Sequence, residues 1–177
     1  MAFDVPAPLL AALRARRKEQ RRRRALAAPS AAPGDNFLGV LGNIFNRGAP
    51  ADAGALYANS MDAWQDEVER AHDAFLLDPG MGPMAYLTAD GRVLWDERGW
   101  DGDGVVEVTG RDARAALVVG ARKTGLAALL TLLPAAPAGA VVCPTCKGTC
   151  LAALAPGIAG EFPCRACACC GWVAAEV

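Results

Sequence analysis

The sequence predicts an α+β protein: a helix, a small antiparallel sheet and a second helix, followed by a C-terminal cysteine-rich ribbon. A basic N-terminal arm, helical or disordered, precedes this body. Three observations carry the prediction. Apolar residues recur at alternating steps of three and four over residues 61–75, and a second apolar stripe runs over 115–133. Between those stretches the pattern changes to short β-rich runs separated by turn residues. All seven cysteines lie between positions 143 and 170. The chain divides accordingly into an arm and linker (1–55), a body (56–139) and a ribbon (140–177).

Residues 7–28 read as a helix, with Leu9, Leu10 and Leu13 ahead of a basic run. Pro6 and Pro8 stand at its start and Pro29 at its end, where proline is tolerated. Arg21, Arg22, Arg23 and Arg24 spread charge around the whole helix, so this run cannot be a buried face. Residues 29–55 are rich in Ala, Pro, Gly and Asn and read as a linker. An apolar patch within it, from Phe37 to Phe45, is expected to dock on the core.

A helix is then expected from Asn59 and Ser60, whose side chains can cap it. Met61, Trp64, Val68, Ala71 and Phe75 form its apolar stripe, and it stops before Asp78. Asp62, Asp66, Glu67, Glu69 and Asp73 are expected to face outward, with His72 among them as a surface histidine. Runs at 84–88 and 92–95 flank Ala89-Asp90-Gly91, a hairpin signal. A third run at 105–108 completes a three-stranded antiparallel sheet. Asp101-Gly-Asp103-Gly reads as a turn and not a calcium loop, because Val105 stands where a third oxygen ligand is needed.

Thr109 and Asp112 give a capping-box-like start to a long helix ending at Leu133 before Pro134. Ala115, Val119, Leu126, Leu129, Leu130 and Leu133 form its stripe, and Gly120 and Gly125 are places where it bends or divides. The segment Gly120-Ala-Arg-Lys-Thr-Gly125 is not a phosphate loop, since its Lys-Thr pair precedes the second glycine.

Net charge is −1, but it is unevenly spread. Residues 1–34 hold eight basic residues (Arg14, Arg16, Arg17, Lys18, Arg21, Arg22, Arg23, Arg24) against Asp4 and Glu19, a net +6 that leaves −7 on the rest. Two readings of the arm follow: phosphate contact with nucleic acid, or a solvated appendage. No aromatic residue interleaves the arginines to stack on bases, which favours the second. No membrane span is expected, because the best apolar stretch carries Arg122 and Lys123 at ~3 kcal/mol each in a bilayer. The N-terminal charges follow the apolar run, unlike a secretory signal. Cytoplasm is therefore the expected compartment, with organellar import as the alternative raised by Arg/Ala richness.

The cysteines form Cys143-Pro-Thr-Cys146-Lys-Gly-Thr-Cys150 and Cys164-Arg-Ala-Cys167-Ala-Cys169-Cys170-Gly-Trp172. A Cys-x2-Cys turn aims two thiolates at one ion, and two such turns 17 residues apart have the spacing of a structural zinc site. The one histidine is distant in sequence, so an all-cysteine, closed site is expected, holding Zn2+ structurally. A disulfide framework is disfavoured by the odd cysteine count. An iron–sulfur cluster is disfavoured because Cys143, Cys146 and Cys150 lack a fourth cysteine followed by proline.

These two clusters resemble copies of Cys-x-x-Cys-x-Gly-x-Gly, the repeat of the DnaJ-type cysteine-rich zinc domain of some Hsp40 chaperones. The resemblance covers residues 141–173, and Cys150 and Cys169 stand where glycines belong. Two half-motifs in place of four imply one zinc per chain. No His-Pro-Asp tripeptide occurs, so Hsp70 stimulation is not implied. Cys164/Cys167 matches the repeat, whereas Cys167/Cys170 followed by Gly171 is a rival zinc-ribbon knuckle. The first pairing makes the two halves superimpose, giving Cys143, Cys146, Cys164 and Cys167 as the expected ligands.

No catalytic constellation emerges from the sequence. The leading expectation is a non-enzymatic zinc protein that binds other proteins, with a chaperone-like or assembly role implied by the resemblance. Nucleic-acid binding through the arm and ribbon is the second reading. Thiol–disulfide exchange by the surplus cysteines Cys169 and Cys170 is the third.

Overall fold

The computed structural model describes residues 2–27, 53–78, 83–98, 104–153 and 161–175. The apolar patch at 37–45, nearly all of the linker and the turn at 101–103 lie outside these residues. Helix α1 spans Ala7–Ala27, as its sequence predicts. It is followed by α2 (Ala53–Ala71), β1 (Ala74–Asp78), β2 (Met84–Thr88), β3 (Val93–Asp96) and β4 (Val105–Val108). Helix α3 (Gly110–Thr124) and a 3-10 segment (Ala127–Leu132) complete the body.

The sheet has four strands in the order β1-β2-β3-β4, all antiparallel, not the three expected. The extra strand is β1, which the sequence reading had absorbed into the preceding helix. That helix begins at Ala53 and ends at Ala71, so Asn59 and Ser60 lie within it and not at its start. Asp73 takes φ +42, a left-handed turn that reverses the chain into β1. Ala74, Phe75, Leu76 and Leu77 are all buried, because both faces of the sheet are covered. A continuous apolar run of this kind has no alternation to distinguish it from a helix end.

The two faces make two cores. Phe75, Leu77, Ala85, Leu87 and Val93 pack with Leu9 and Leu13 of α1 and with Ala113, Leu117 and Leu129. Ala74, Leu76, Met84, Tyr86 and Leu94 face the other way, against Met61, Trp64 and Val68 of α2. The molecule is thus layered, with α1 and α3 on one side of the sheet and α2 on the other. Gly120 brings α3 close to β1: a Cβ there would lie 2.9 Å from Leu77 Cβ. It serves close approach and not bending.

The long helix expected to reach Leu133 stops at Thr124, where Gly125 takes φ 71, the left-handed C-terminal conformation. Of the expected stripe, Leu129 is buried and Leu130 exposed, while Ala113, Ala116, Leu117, Val118, Gly120 and Ala121 are the buried residues of α3 itself. Thr109 precedes α3 with extended backbone and makes no side-chain capping bond.

Helix α1 is no solvated arm. Its arginines at 17, 21 and 24 share one face at spacings of four and three, and acids on and just beyond α2 repeat in the same way at 62, 66, 69 and 73. The two ladders meet antiparallel. Arg17 bonds Asp73 at 3.0 Å, Arg21 bonds Glu69 at 3.0 Å, and Arg24 bonds Asp66 at 2.9 Å. The Arg17 guanidinium also sits 4.5 Å from the Phe75 ring centroid. Glu69, expected to face outward, is 1% exposed and accepts a second bond from Gln65 at 2.7 Å. Burying this carboxylate is tolerable because it is paired.

Candidate metal centre

The C-terminal strands are β5 (Ala140–Val142), β6 (Leu151–Ala152), β7 (Phe162–Pro163) and β8 (Trp172–Ala174). β5 pairs antiparallel with β8, and β6 with β7. A cysteine knuckle follows β5 and another follows β7. Equivalent residues of the two knuckles are 21 apart.

The equivalence extends to the backbone. Lys147 and Ala168, Gly148 and Cys169, and Cys150 and Gly171 all take positive φ, between 48° and 84°. The Cys143 amide donates to Gly171 O at 3.0 Å, and the Cys164 amide donates to Cys150 O at 2.8 Å. Each knuckle thereby closes the far end of the other. Thr149 N bonds Cys146 O and Cys170 N bonds Cys167 O, both at 3.0 Å. The half-motifs seen in sequence are two copies of one local structure, related by an approximate two-fold.

This arrangement brings Cys143, Cys146, Cys164 and Cys167 together. Their sulfurs all lie within 4.8 Å of one another and all four residues are buried. Cys143 Sγ and Cys164 Sγ are 3.9 Å apart, and Cys146 Sγ and Cys167 Sγ 3.7 Å. A tetrahedral ion with ~2.3 Å bonds to sulfur would set ligand sulfurs about 3.8 Å apart. The four thiols are positioned to bind a metal ion.

Electrostatics at the site pull in two directions. Amide hydrogen bonds, chiefly from Cys146 and then Thr145, hold the Cys143 thiol below its usual range. Burial pushes Cys146 and Cys164 up. Gly171 N also donates to Cys167 Sγ at 3.3 Å. Backbone donors thus already point at sulfur, as thiolate ligands require.

Cys170, the rival fourth ligand, lies outside this group; its thiol faces Ala168 O at 3.9 Å. Cys150 and Cys169 are also outside it. Burial raises both thiols to about 11. They occupy the two positive-φ positions that the matching knuckle fills with Gly171 and Gly148. A side chain in that conformation costs roughly 1 kcal/mol. A Cβ on Gly171 would lie 3.0 Å from Gly148 O and 3.2 Å from Cys150 Sγ, so a cysteine in that position of the second knuckle would crowd the first. Both cysteines instead join Val118 of α3 in one buried cluster, with Ala115, Leu133 and Leu151 packed against it. Sequence reasoning identified them as glycine replacements but gave them no partner.

No protein-family model matches the chain, and no curated protein or solved structure is significantly similar to it. The DnaJ-type likeness therefore rests on the two motifs alone. Of the eight arm cations, Arg17, Arg21 and Arg24 pair with acids at and beside α2, and Arg16 donates to Thr124 O at 3.3 Å. Among the described residues no helix is long and apolar enough to cross a membrane.

Proposed function

We propose that this chain is a non-enzymatic zinc protein in which Cys143, Cys146, Cys164 and Cys167 hold one Zn2+ as a structural ion. The observation that carries the reading is the convergence of four buried sulfurs at tetrahedral edge lengths. Zinc suits a four-thiolate tetrahedron and needs no redox change or open coordination position. The ribbon is the protein-interaction part of the molecule, in the chaperone-like or assembly sense that the DnaJ-type motifs imply. Exposed Val141, Val142 and Phe162 on its strands support this, Val142 being 66% exposed.

The two other readings have less behind them. The inward arginines are occupied by acids at and beside α2, and the exposed Arg22 and Arg23 pair with Glu19 on their own helix, which leaves a thin cationic surface for any nucleic acid. Thiol exchange by Cys169 and Cys170 needs accessible thiolates, whereas Cys169 is fully buried and Cys170 is half-buried.

Metal content of purified protein tests the first part of the proposal. Wild type and Cys150→Ser should carry one zinc per chain, and Cys143→Ser and Cys167→Ser none. Cys164→Ser should lose the metal and Cys170→Ser keep it; the reverse would place the fourth ligand at Cys170. For the second part, binding of a permanently unfolded polypeptide is measured against Val142→Asp and Phe162→Asp. Unchanged binding in both variants, or none in the wild type, would remove the interaction role from this surface.

A further inference from the structure

Helix α3 is apolar on two sides. Ala113, Ala116, Leu117 and Ala121 face the sheet, while Ala115 and Val118 face the cysteine knuckles. On this second side Arg114 Nε donates to Ala168 O at 2.8 Å, and Arg122 pairs with Glu161 at 2.7 Å. Ala168 lies between Cys167 and Cys169, so α3 grips the second knuckle at the residue next to a proposed ligand. Cys150 and Cys169 are the two glycine positions where this chain retains a side chain in left-handed backbone. Both are buried, at 5% and 0% exposure, in the cluster containing Val118.

We propose that metal occupancy and ribbon docking are one coupled equilibrium. The metal-loaded knuckles present Cys150 and Cys169 as a small apolar surface shaped for α3, and metal loss uncovers Ala115 and Val118. The inference rests on the metal reading above. It adds that the body senses the ion through α3, and it gives the surplus cysteines a role as docking residues.

Coupling between two sites is reciprocal: if metal favours docking, weakened docking must weaken metal binding. Arg114→Ala and Val118→Ala alter the docking face without changing any ribbon residue. Zinc affinity of full-length protein is measured by competition with a chromophoric chelator. Arg114→Ala should bind zinc about tenfold more weakly, the equivalent of one charge-assisted hydrogen bond, and still take one ion per chain. Val118→Ala should weaken it in the same direction, and wild-type Val118 methyl resonances should shift when metal is removed. Arg114→Ala leaves every buried apolar side chain in place, so it reports even if Val118→Ala does not fold. Wild-type affinity in Arg114→Ala overturns the coupling while leaving the metal reading intact. A wild-type protein that takes up no stoichiometric zinc overturns both, and is recognised before any variant is made.

Discussion

At the scale of single residues, Gly91 is where one methyl group would do the most harm. Its φ is +84, and an added Cβ would lie 1.8 Å from the carbonyl oxygen of Phe3. The Phe3 amide donates to Gly91 O at 2.8 Å, fastening the N-terminal segment over the β2–β3 hairpin. Gly91→Ala would strain the turn and push this segment away, at a cost of roughly 2–3 kcal/mol. The cost would be read as a lower urea midpoint with an unchanged slope. The turn itself was legible, because Asp-Gly between β-rich runs is local chemistry. The contact with Phe3 was not, since nothing around Gly91 names a partner so distant in sequence. The cysteines divide in the same way. Spacing picked out four converging thiols, but docking of Cys150 and Cys169 depends on where α3 lies.

At the scale of elements, the pairing of α1 with α2 separates useful ion pairs from decorative ones. The Glu69 side chain is fully buried while Arg21 is 40% exposed. Arg21→Ala would leave Glu69 with only Gln65 and Coulombic help from its neighbours, costing about 1–3 kcal/mol after allowance for solvent around the arginine. A double-mutant cycle with Glu69→Gln should recover most of that cost as coupling. Arg23→Ala is the control: its partner Glu19 lies on the same helix and Arg23 is 76% exposed. It should cost less than about 0.5 kcal/mol. The matched spacing of the two ladders was present in the sequence, yet each helix read alone suggested a solvated charged face. β1 was hidden for a different reason. A strand covered on both sides loses the alternation by which strands are recognised, so the element boundary fell in the wrong place.

At the scale of the whole molecule, two apolar cores in the body stand apart from a ribbon whose interior is mostly sulfur. Four adjacent thiols form a weak core without an ion. Structural zinc contributes on the order of 10 kcal/mol to folding such a module. A strong chelator should therefore collapse the amide dispersion of residues 140–175 in an NMR spectrum and leave the sheet and its helices dispersed. Release should become easier as pH falls, because protons compete for the thiolates and zinc binding expels them. A fully dispersed metal-free ribbon would falsify this account.

The antiparallel matching of arginine and acid ladders also bears on how the chain comes together in time. The sheet is a meander whose strands meet their sequence neighbours, so it forms by short closures. Helix α1 must instead find α2 and β1 across separations of 38 to 57 residues. Closing so long a loop is an entropic search. Opposite charges spaced alike on two rods draw them together and favour one relative direction, because a reversed approach would break the match. Dissolved salt shortens the range of that guidance to about one Debye length, ~8 Å at physiological strength. Ionic strength thus acts on the speed and fidelity of the last closure more than on the finished fold, whose apolar anchors Leu9 and Leu13 are indifferent to it.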